Sequence, residues 1–78
     1  MVDYEKMLEK AQVKINSTAK GSIFAVKDLF TGIEWDKLTN GEKRGMGSRF
    51  KYAVSKGNIV NAEYIGKAKN NSSQYQVI

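Results

Sequence analysis

The chain has 78 residues, a formal net charge of +5 and neither cysteine nor histidine. This length fits one small domain, residues 1–78, and without those two residue types the usual disulfides, zinc sites and acid–base pairs cannot be built. We therefore expect a binding protein rather than an enzyme, with no cofactor, no metal and no small-molecule substrate. No apolar run approaches the roughly 20 residues of a membrane span, and the acidic N-terminus differs from a signal peptide, which predicts a cytoplasmic protein without membrane contact.

The net charge is confined to the second half of the chain. Residues 1–40 contain six lysines and six acidic residues, which cancel, whereas residues 41–78 contain seven basic and two acidic residues, which give the whole +5. Basic residues concentrated in one part of a small domain are typical of proteins that bind a polyanion, most often nucleic acid.

The first predicted element is an amphipathic helix over residues 3–17. Asp3 is a plausible N-cap, and the apolar residues recur at spacings of three and four: Tyr4, Met7, Leu8, Ala11 and Ile15. The polar residues 16–22 then predict a loop. We expect a three-residue strand within residues 23–26 and a brief helix over residues 27–30 that stops at Thr31-Gly32. Beyond it, the predicted core anchors are Ile33, Trp35 and Leu38.

A longer basic helix is predicted to begin after Thr39. Thr39 and Glu42 have the spacing of a capping box, and Gly57 is the expected C-terminal cap. The apolar face contains Met46, Phe50, Ala53 and Val54. Three glycines conflict with this helix, because each interior glycine costs about 1 kcal/mol relative to alanine. Either the helix starts late or a neighbour closely approaches its backbone at one of them: Gly41, Gly45 or Gly47.

After Gly57 the apolar period changes to two, which predicts a β-hairpin that joins residues 59–67 to residues 73–78. Val60, Ala62 and Tyr64 are expected on the same face as Tyr75 and Val77. Phe24 should pair with the hairpin or pack beside it. The core around Trp35 should be largely buried and should include Leu29, Phe30, Leu38, Met46 and Phe50.

The predicted fold class is α+β: three helices, a short strand and a C-terminal hairpin that serves as a wing. This order resembles that of a winged helix-turn-helix domain. The chain also resembles the DUF1413 family of small bacterial and mobile-element proteins. The motifs that carry this second resemblance are Phe24-x-Val26-Lys27-Asp28-Leu29-Phe30, Trp35-x-x-Leu38, Gly41-Glu42-x-Arg44 and Met46-Gly47-Ser48-Arg49-Phe50, followed by Val54.

The DUF1413 resemblance implies a compact winged-helix-like fold from a bacterium, phage or plasmid, with no biochemical activity assigned. The chain departs from the family pattern in having Met46 in place of leucine, and Ser48 where a basic residue is frequent. The second departure weakens the expected phosphate contact at position 48.

The predicted site is the outer face of the basic helix together with the hairpin tip. On a helical wheel, one group of residues lies about 140–200° from Met46, a basic face of short side chains that suits the major groove of duplex DNA. Gly47 on its flank would allow a close approach. The predicted contacts are Arg44, Ser48, Lys51 and Ser55 on this face, Arg49 and Lys56 beside it, and Lys67, Lys69, Asn70 and Asn71 at the tip.

Two other interpretations remain open from sequence. A basic helix face also occurs as ordinary solvated surface, and the same surface could meet an acidic protein, which would make the chain an interaction module or inhibitor. If the chain is a DNA-binding regulator, a homodimer or a protein partner is expected, with the first helix as the candidate dimer surface. Stacking on single-stranded bases is not expected, because six aromatic residues have core spacing: Tyr4, Phe24, Phe30, Trp35, Phe50 and Tyr75. DNA binding would weaken steeply with salt.

Overall fold

The computed structural model describes residues 3–78. It contains three α-helices, one 3-10 helix and a three-stranded antiparallel sheet, so the α+β fold class is confirmed. In chain order the elements are α1 (Tyr4–Asn16), β1 (Ile23–Phe24), the 3-10 helix (Val26–Leu29), α2 (Gly32–Asp36), α3 (Asn40–Lys56), β2 (Ala62–Lys67) and β3 (Ser73–Val77). This arrangement is compatible with a winged-helix-like fold. No helix among these residues is long and apolar enough to cross a membrane.

Helix α1 begins and packs as its sequence predicts. The Asp3 carboxylate accepts a hydrogen bond from the backbone N–H of Lys6 at 3.1 Å, which satisfies one of the free donors at the helix start. Ala11 and Ile15 are fully buried. Gln12 fixes the chain that enters the hairpin, because its side-chain amide makes hydrogen bonds to both the N–H and the carbonyl of Val60, at 2.8 and 3.0 Å.

The segment between β1 and α3 differs from its prediction. The predicted helix over residues 27–30 is a 3-10 turn over Val26–Leu29, and the second α-helix lies later, at Gly32–Asp36. It starts at a second capping box, in which Thr31 and Glu34 exchange hydrogen bonds at 3.1 Å. Helix α2 places Ile33 outward with 73% of its surface exposed, so the prediction that Ile33 is a core anchor is wrong.

Helix α3 has the predicted caps at both ends. Thr39 and Glu42 form the capping box at 2.8 and 3.1 Å, and Gly57 ends the helix in the left-handed conformation, with φ of 80°. The close approach inferred from its glycines occurs at Gly45. A Cβ there would lie 2.7 Å from the hydroxyl of Tyr4, whereas one at Gly47 would meet nothing within 4 Å. Gly45 therefore lets α1 pack against α3, and Gly47 leaves open space.

The hairpin and β1 form one sheet in the order β1-β3-β2. Phe24 pairs with Tyr75, which confirms that β1 joins the hairpin, and Tyr75 also pairs with Tyr64 on the other side. A bulge at Ile65 interrupts the β2–β3 register, and Gly66 adopts φ of 119° beside it. Val60 precedes β2 and is exposed, so the prediction that it shares the inner face is wrong.

The core is centred on three aromatic rings from three elements. Tyr75 packs edge-to-face against Phe50 of α3, with ring centroids 4.8 Å apart, and stacks on Phe24 of β1 at 5.8 Å. The predicted core residues Leu29, Met46 and Phe50 are buried, whereas three others are only half-buried: Phe30, Trp35 and Leu38.

Candidate nucleic-acid interface

All ten residues that the sequence predicts as contacts are exposed. They occupy three neighbouring regions: the outer face of α3, the flank of α3 that meets α1, and the hairpin turn. Within residues 3–78 the single ion pair joins Lys10 to Glu34 at 2.8 Å, on another part of the molecule. No carboxylate among these residues therefore lies within ion-pair distance of the cations on α3 and the hairpin.

The outer face of α3 adjoins the hairpin. The ammonium group of Lys51 lies 4.5 Å from the ring centroid of Tyr64 in β2, a cation–π contact that joins the two elements. Arg44 lines the same cleft as Ser72 and Ser73 near the hairpin turn. The Ser55 hydroxyl is less available, because it donates to the carbonyl of Tyr52 at 2.8 Å. Helix α3 and the hairpin thus adjoin, and each presents exposed cations.

The other flank of α3 holds Arg49 and Ser48. The guanidinium of Arg49 lies 4.0 Å from the ring centroid of Tyr4, so it packs against α1 and stands apart from the outer face. Ser48 and Arg49 line a groove between α1 and α3. Lys56 lies 5.6 Å from the ring centroid of Tyr52 near the end of the helix. These residues could contact a ligand only at the edge of a helix docked by its outer face.

The local geometry of the hairpin turn accounts for the two asparagines in it, Asn70 and Asn71. Asn71 adopts φ of 70°, a conformation that asparagine tolerates better than most residues, and the Asn70 side chain accepts a hydrogen bond from Ser72 at 3.2 Å. Both asparagines thus shape the turn, and Lys67 and Lys69, which precede them, are exposed. The predicted DNA contacts of Asn70 and Asn71 stay predictions.

Two lysines that the sequence analysis did not select complete a basic cleft. Lys27 of the 3-10 helix and Lys43 of α3 line it together with Arg44. No signal in the sequence places Lys27 there, because the residue lies in a different element and only the tertiary fold brings it near α3. Lys43 follows the capping glutamate Glu42 and could have been selected from its position in the first turn.

Aromatic side chains also reach the surface beside these cations. Tyr52 is 61% exposed and Tyr64 is 38% exposed, and each lies under a lysine. Trp35, predicted as a buried anchor, is half-buried, stacks on Phe30 with centroids 5.9 Å apart and lines the basic cleft. The prediction that aromatic residues lie in the core therefore holds for Phe24, Phe50 and Tyr75. The rings of Trp35, Tyr52 and Tyr64 are at least partly exposed and available for contact.

These features define a small basic α+β domain whose helix and hairpin present cations without carboxylate partners. The chain belongs to the DUF1413 family, a domain of unknown function whose family model matches residues 9–76. Among solved structures it is similar to an SCCmec type IV protein, LP1413, which is described as a nucleic acids binding protein. The two share 25% sequence identity with a TM-score of 0.71, over 96% of this chain and 86% of that one. A comparison with curated proteins finds no significant match.

Proposed function

We propose that this protein binds nucleic acid, specifically duplex DNA, and that it is not an enzyme. The observation that carries the proposal is the set of exposed cations on two adjoining elements, α3 and the hairpin, which are joined by the contact of Lys51 with Tyr64. The similarity of the chain to a protein described as binding nucleic acids supports nucleic-acid binding in general. In this proposal α3 enters the major groove, where Arg44 reads guanine edges, and the lysines of the hairpin contact neighbouring phosphates.

The proposed stoichiometry follows from the small size of the site. A lone domain with about five phosphate contacts binds weakly at physiological salt, so we propose that it acts as a homodimer or with a protein partner, as a small cytoplasmic regulator in a bacterium, phage or mobile element. Analytical ultracentrifugation with and without DNA measures that stoichiometry. A strict monomer on every DNA length would contradict the dimer.

The test of binding is a fluorescence anisotropy titration of labelled duplex DNA at several salt concentrations. Lys51→Ala and Lys69→Ala should each weaken binding and lower the salt slope by about one phosphate. Lys14→Ala in α1 is the matched control, because it removes the same exposed charge outside the proposed surface, whereas Lys10 is engaged by Glu34. Equal losses for Lys51→Ala, Lys69→Ala and Lys14→Ala would indicate diffuse attraction without a docked helix.

A second candidate ligand is single-stranded nucleic acid, favoured by the exposed ring of Tyr52 beside Lys56. Bases stacked on an aromatic side chain contribute about 1–3 kcal/mol each. Duplex and single strands of the same sequence and length should be compared as competitors. If duplex is the ligand, it competes better and Tyr52→Ala changes little; if single strand is the ligand, the preference reverses and Tyr52→Ala weakens binding.

The alternative of an acidic protein partner has a distinct outcome in the same titration. If neither strand form binds at low salt, the basic surface serves another ligand and the nucleic-acid proposal fails. Direct base readout also predicts that an Arg44 substitution relaxes sequence preference, which loss of a phosphate contact alone does not.

A further inference from the structure

A cleft of about 340 Å³ lies between the first half of α3, the 3-10 helix and the end of the hairpin. Its lining includes the cations Lys27, Lys43 and Arg44, which come from two separate elements. No acidic residue lines the cleft, and none of the three cations has a carboxylate partner within residues 3–78. A bound anion would be attracted by the positive charges that line the cleft.

The uncharged part of the lining suits a flat ring. Trp35 contributes an indole that is held in place by stacking on Phe30, with the two ring planes 12° apart. Gly47 leaves the cleft open beside it, because a Cβ there would meet nothing within 4 Å. Ser72 and Ser73 add hydroxyl groups from the hairpin side. Cations and a half-exposed indole that line one cleft are the two components that recognise the phosphate and the base of a nucleotide.

The space beside Gly47 has no structural explanation of the kind that applies to Gly45. At Gly45, two residues before it, the space that a side chain would occupy is taken by Tyr4. The contact between α1 and α3 therefore explains the glycine at this position. Gly47 has no such contact, although glycine costs about 1 kcal/mol relative to alanine inside a helix. Its space lies directly in the lining of the basic cleft.

We propose that this cleft binds one unstacked nucleotide, with the phosphate held by Lys27 and Lys43 and the base placed against Trp35. The nucleotide can be a unit of a bound single strand, in which case the inference rests on the second candidate ligand of the proposed function, or a free nucleoside monophosphate. Both sources present the same phosphate ester and ring to the cleft.

Trp35 is the single tryptophan of the chain, so its fluorescence reports on the cleft directly. The protein is titrated with a short single-stranded oligonucleotide, with adenosine monophosphate and with adenosine, which lacks the phosphate. We expect a saturable change of Trp35 fluorescence with the oligonucleotide and none with adenosine. Saturation by adenosine monophosphate as well would identify free nucleotide as a second source; its absence would restrict the site to a unit of a strand.

Two variants test the site without altering the exposed face of α3. Lys27→Glu should weaken oligonucleotide binding about tenfold, because a charge-assisted contact becomes a repulsion. The matched control Lys20→Glu makes the same charge change at an exposed residue outside the lining and should weaken binding by no more than about twofold. Gly47→Leu fills the cleft at constant charge and should abolish the fluorescence change. Circular dichroism checks that each variant is folded.

Anisotropy of the labelled oligonucleotide distinguishes a failure of the cleft site from a failure of the proposed function. Binding by anisotropy with unchanged Trp35 fluorescence, or with equal effects of Lys27→Glu and Lys20→Glu, would overturn the cleft site and leave the proposed function standing. Absence of binding by anisotropy to either strand form overturns the proposed function. A response to adenosine monophosphate would then support the cleft on its own, and no response would overturn it too.

Discussion

Tyr75 lies where β1, α3 and β2 meet, and its hydroxyl has no hydrogen-bond partner among residues 3–78. The side chain is fully buried, and the same burial raises the pKa of Tyr75 to about 12. A buried hydroxyl without a partner has lost its hydration without compensation. We therefore expect Tyr75→Phe to raise the free energy of unfolding by about 1 kcal/mol, measured by urea denaturation, because the ring contacts with Phe24 and Phe50 are kept.

The control for Tyr75 is Tyr64→Phe in the adjacent strand. Tyr64 is 38% exposed and is not among the side chains with a buried, unpartnered oxygen, so its hydroxyl removal should leave stability nearly unchanged. A loss of stability in Tyr75→Phe would contradict the prediction, since it would reveal a partner for the hydroxyl, such as a buried water.

At the scale of the elements, the glycines of α3 make opposite predictions. Gly47→Ala should stabilise the protein by about 1 kcal/mol, because alanine favours the helix and its Cβ meets nothing. Gly45→Ala should gain less or lose stability, because its Cβ would lie 2.7 Å from the Tyr4 hydroxyl. Thermal denaturation of both variants measures the difference.

Tyr4→Phe provides the control for the Gly45 contact. Removing the hydroxyl relieves the shortest approach, so the double variant Tyr4→Phe/Gly45→Ala should be more stable than the two single effects add up to. Simple additivity would show that Tyr4 does not limit the residue at position 45.

The elements predicted best from sequence are those fixed by local chemistry. The Thr39–Glu42 capping box and the glycine cap at Gly57 define α3, and the alternating pattern defines the hairpin. The start of α2 is not predicted although Thr31 and Glu34 have the same spacing as Thr39 and Glu42, because the apolar residues Ile33 and Trp35 indicate core anchors in that segment instead. The bulge at Ile65 could not be predicted, since it depends on register against β3.

The candidate site shows the same division between local and tertiary information. The exposure of Arg44, Lys51 and Lys69 follows from helix periodicity and turn composition. The position of Arg49 against Tyr4 and the convergence of Lys27 with Arg44 depend on how α1 and the 3-10 helix pack, which no local pattern encodes.

At the scale of the whole molecule, acidic and basic residues have different tasks. Several carboxylates are used in local structure: Asp3 caps α1, Asp28 accepts from the backbone of Ala25, and Glu42 caps α3. The exposed cations of α3 and the hairpin have no such partners within residues 3–78. Several carboxylates are therefore engaged by backbone N–H groups of the same chain, whereas the cations of the second half stay available to an anionic ligand.

The ion pair that ties α1 to α2 makes stability depend on acid. The Lys10 ammonium, helped by hydrogen bonds from Thr31, holds the pKa of Glu34 at about 2, below its ordinary value of 4.5. A carboxyl group whose pKa is lower in the folded state than in the unfolded state stabilises the fold at a pH above its unfolded-state pKa. That contribution disappears as the pH falls through its folded-state pKa. The contribution of Glu34 should therefore be complete above about pH 4.5 and lost by about pH 2.

Glu34→Gln isolates this contribution, because glutamine keeps the shape of the side chain and an oxygen that can still accept from Thr31. The melting temperature of Glu34→Gln should lie below that of the unaltered protein near neutral pH, and the difference should shrink as the pH falls from about 4.5 towards 2. Lys10→Gln should show the same trend, because it removes the main cause of the shift, whereas Lys14→Gln on the same helix should give a difference that changes little over this range. A Glu34→Gln difference that stays constant down to pH 2 would mean that the ion pair does not form in solution, and that α2 is held to α1 by apolar contacts alone.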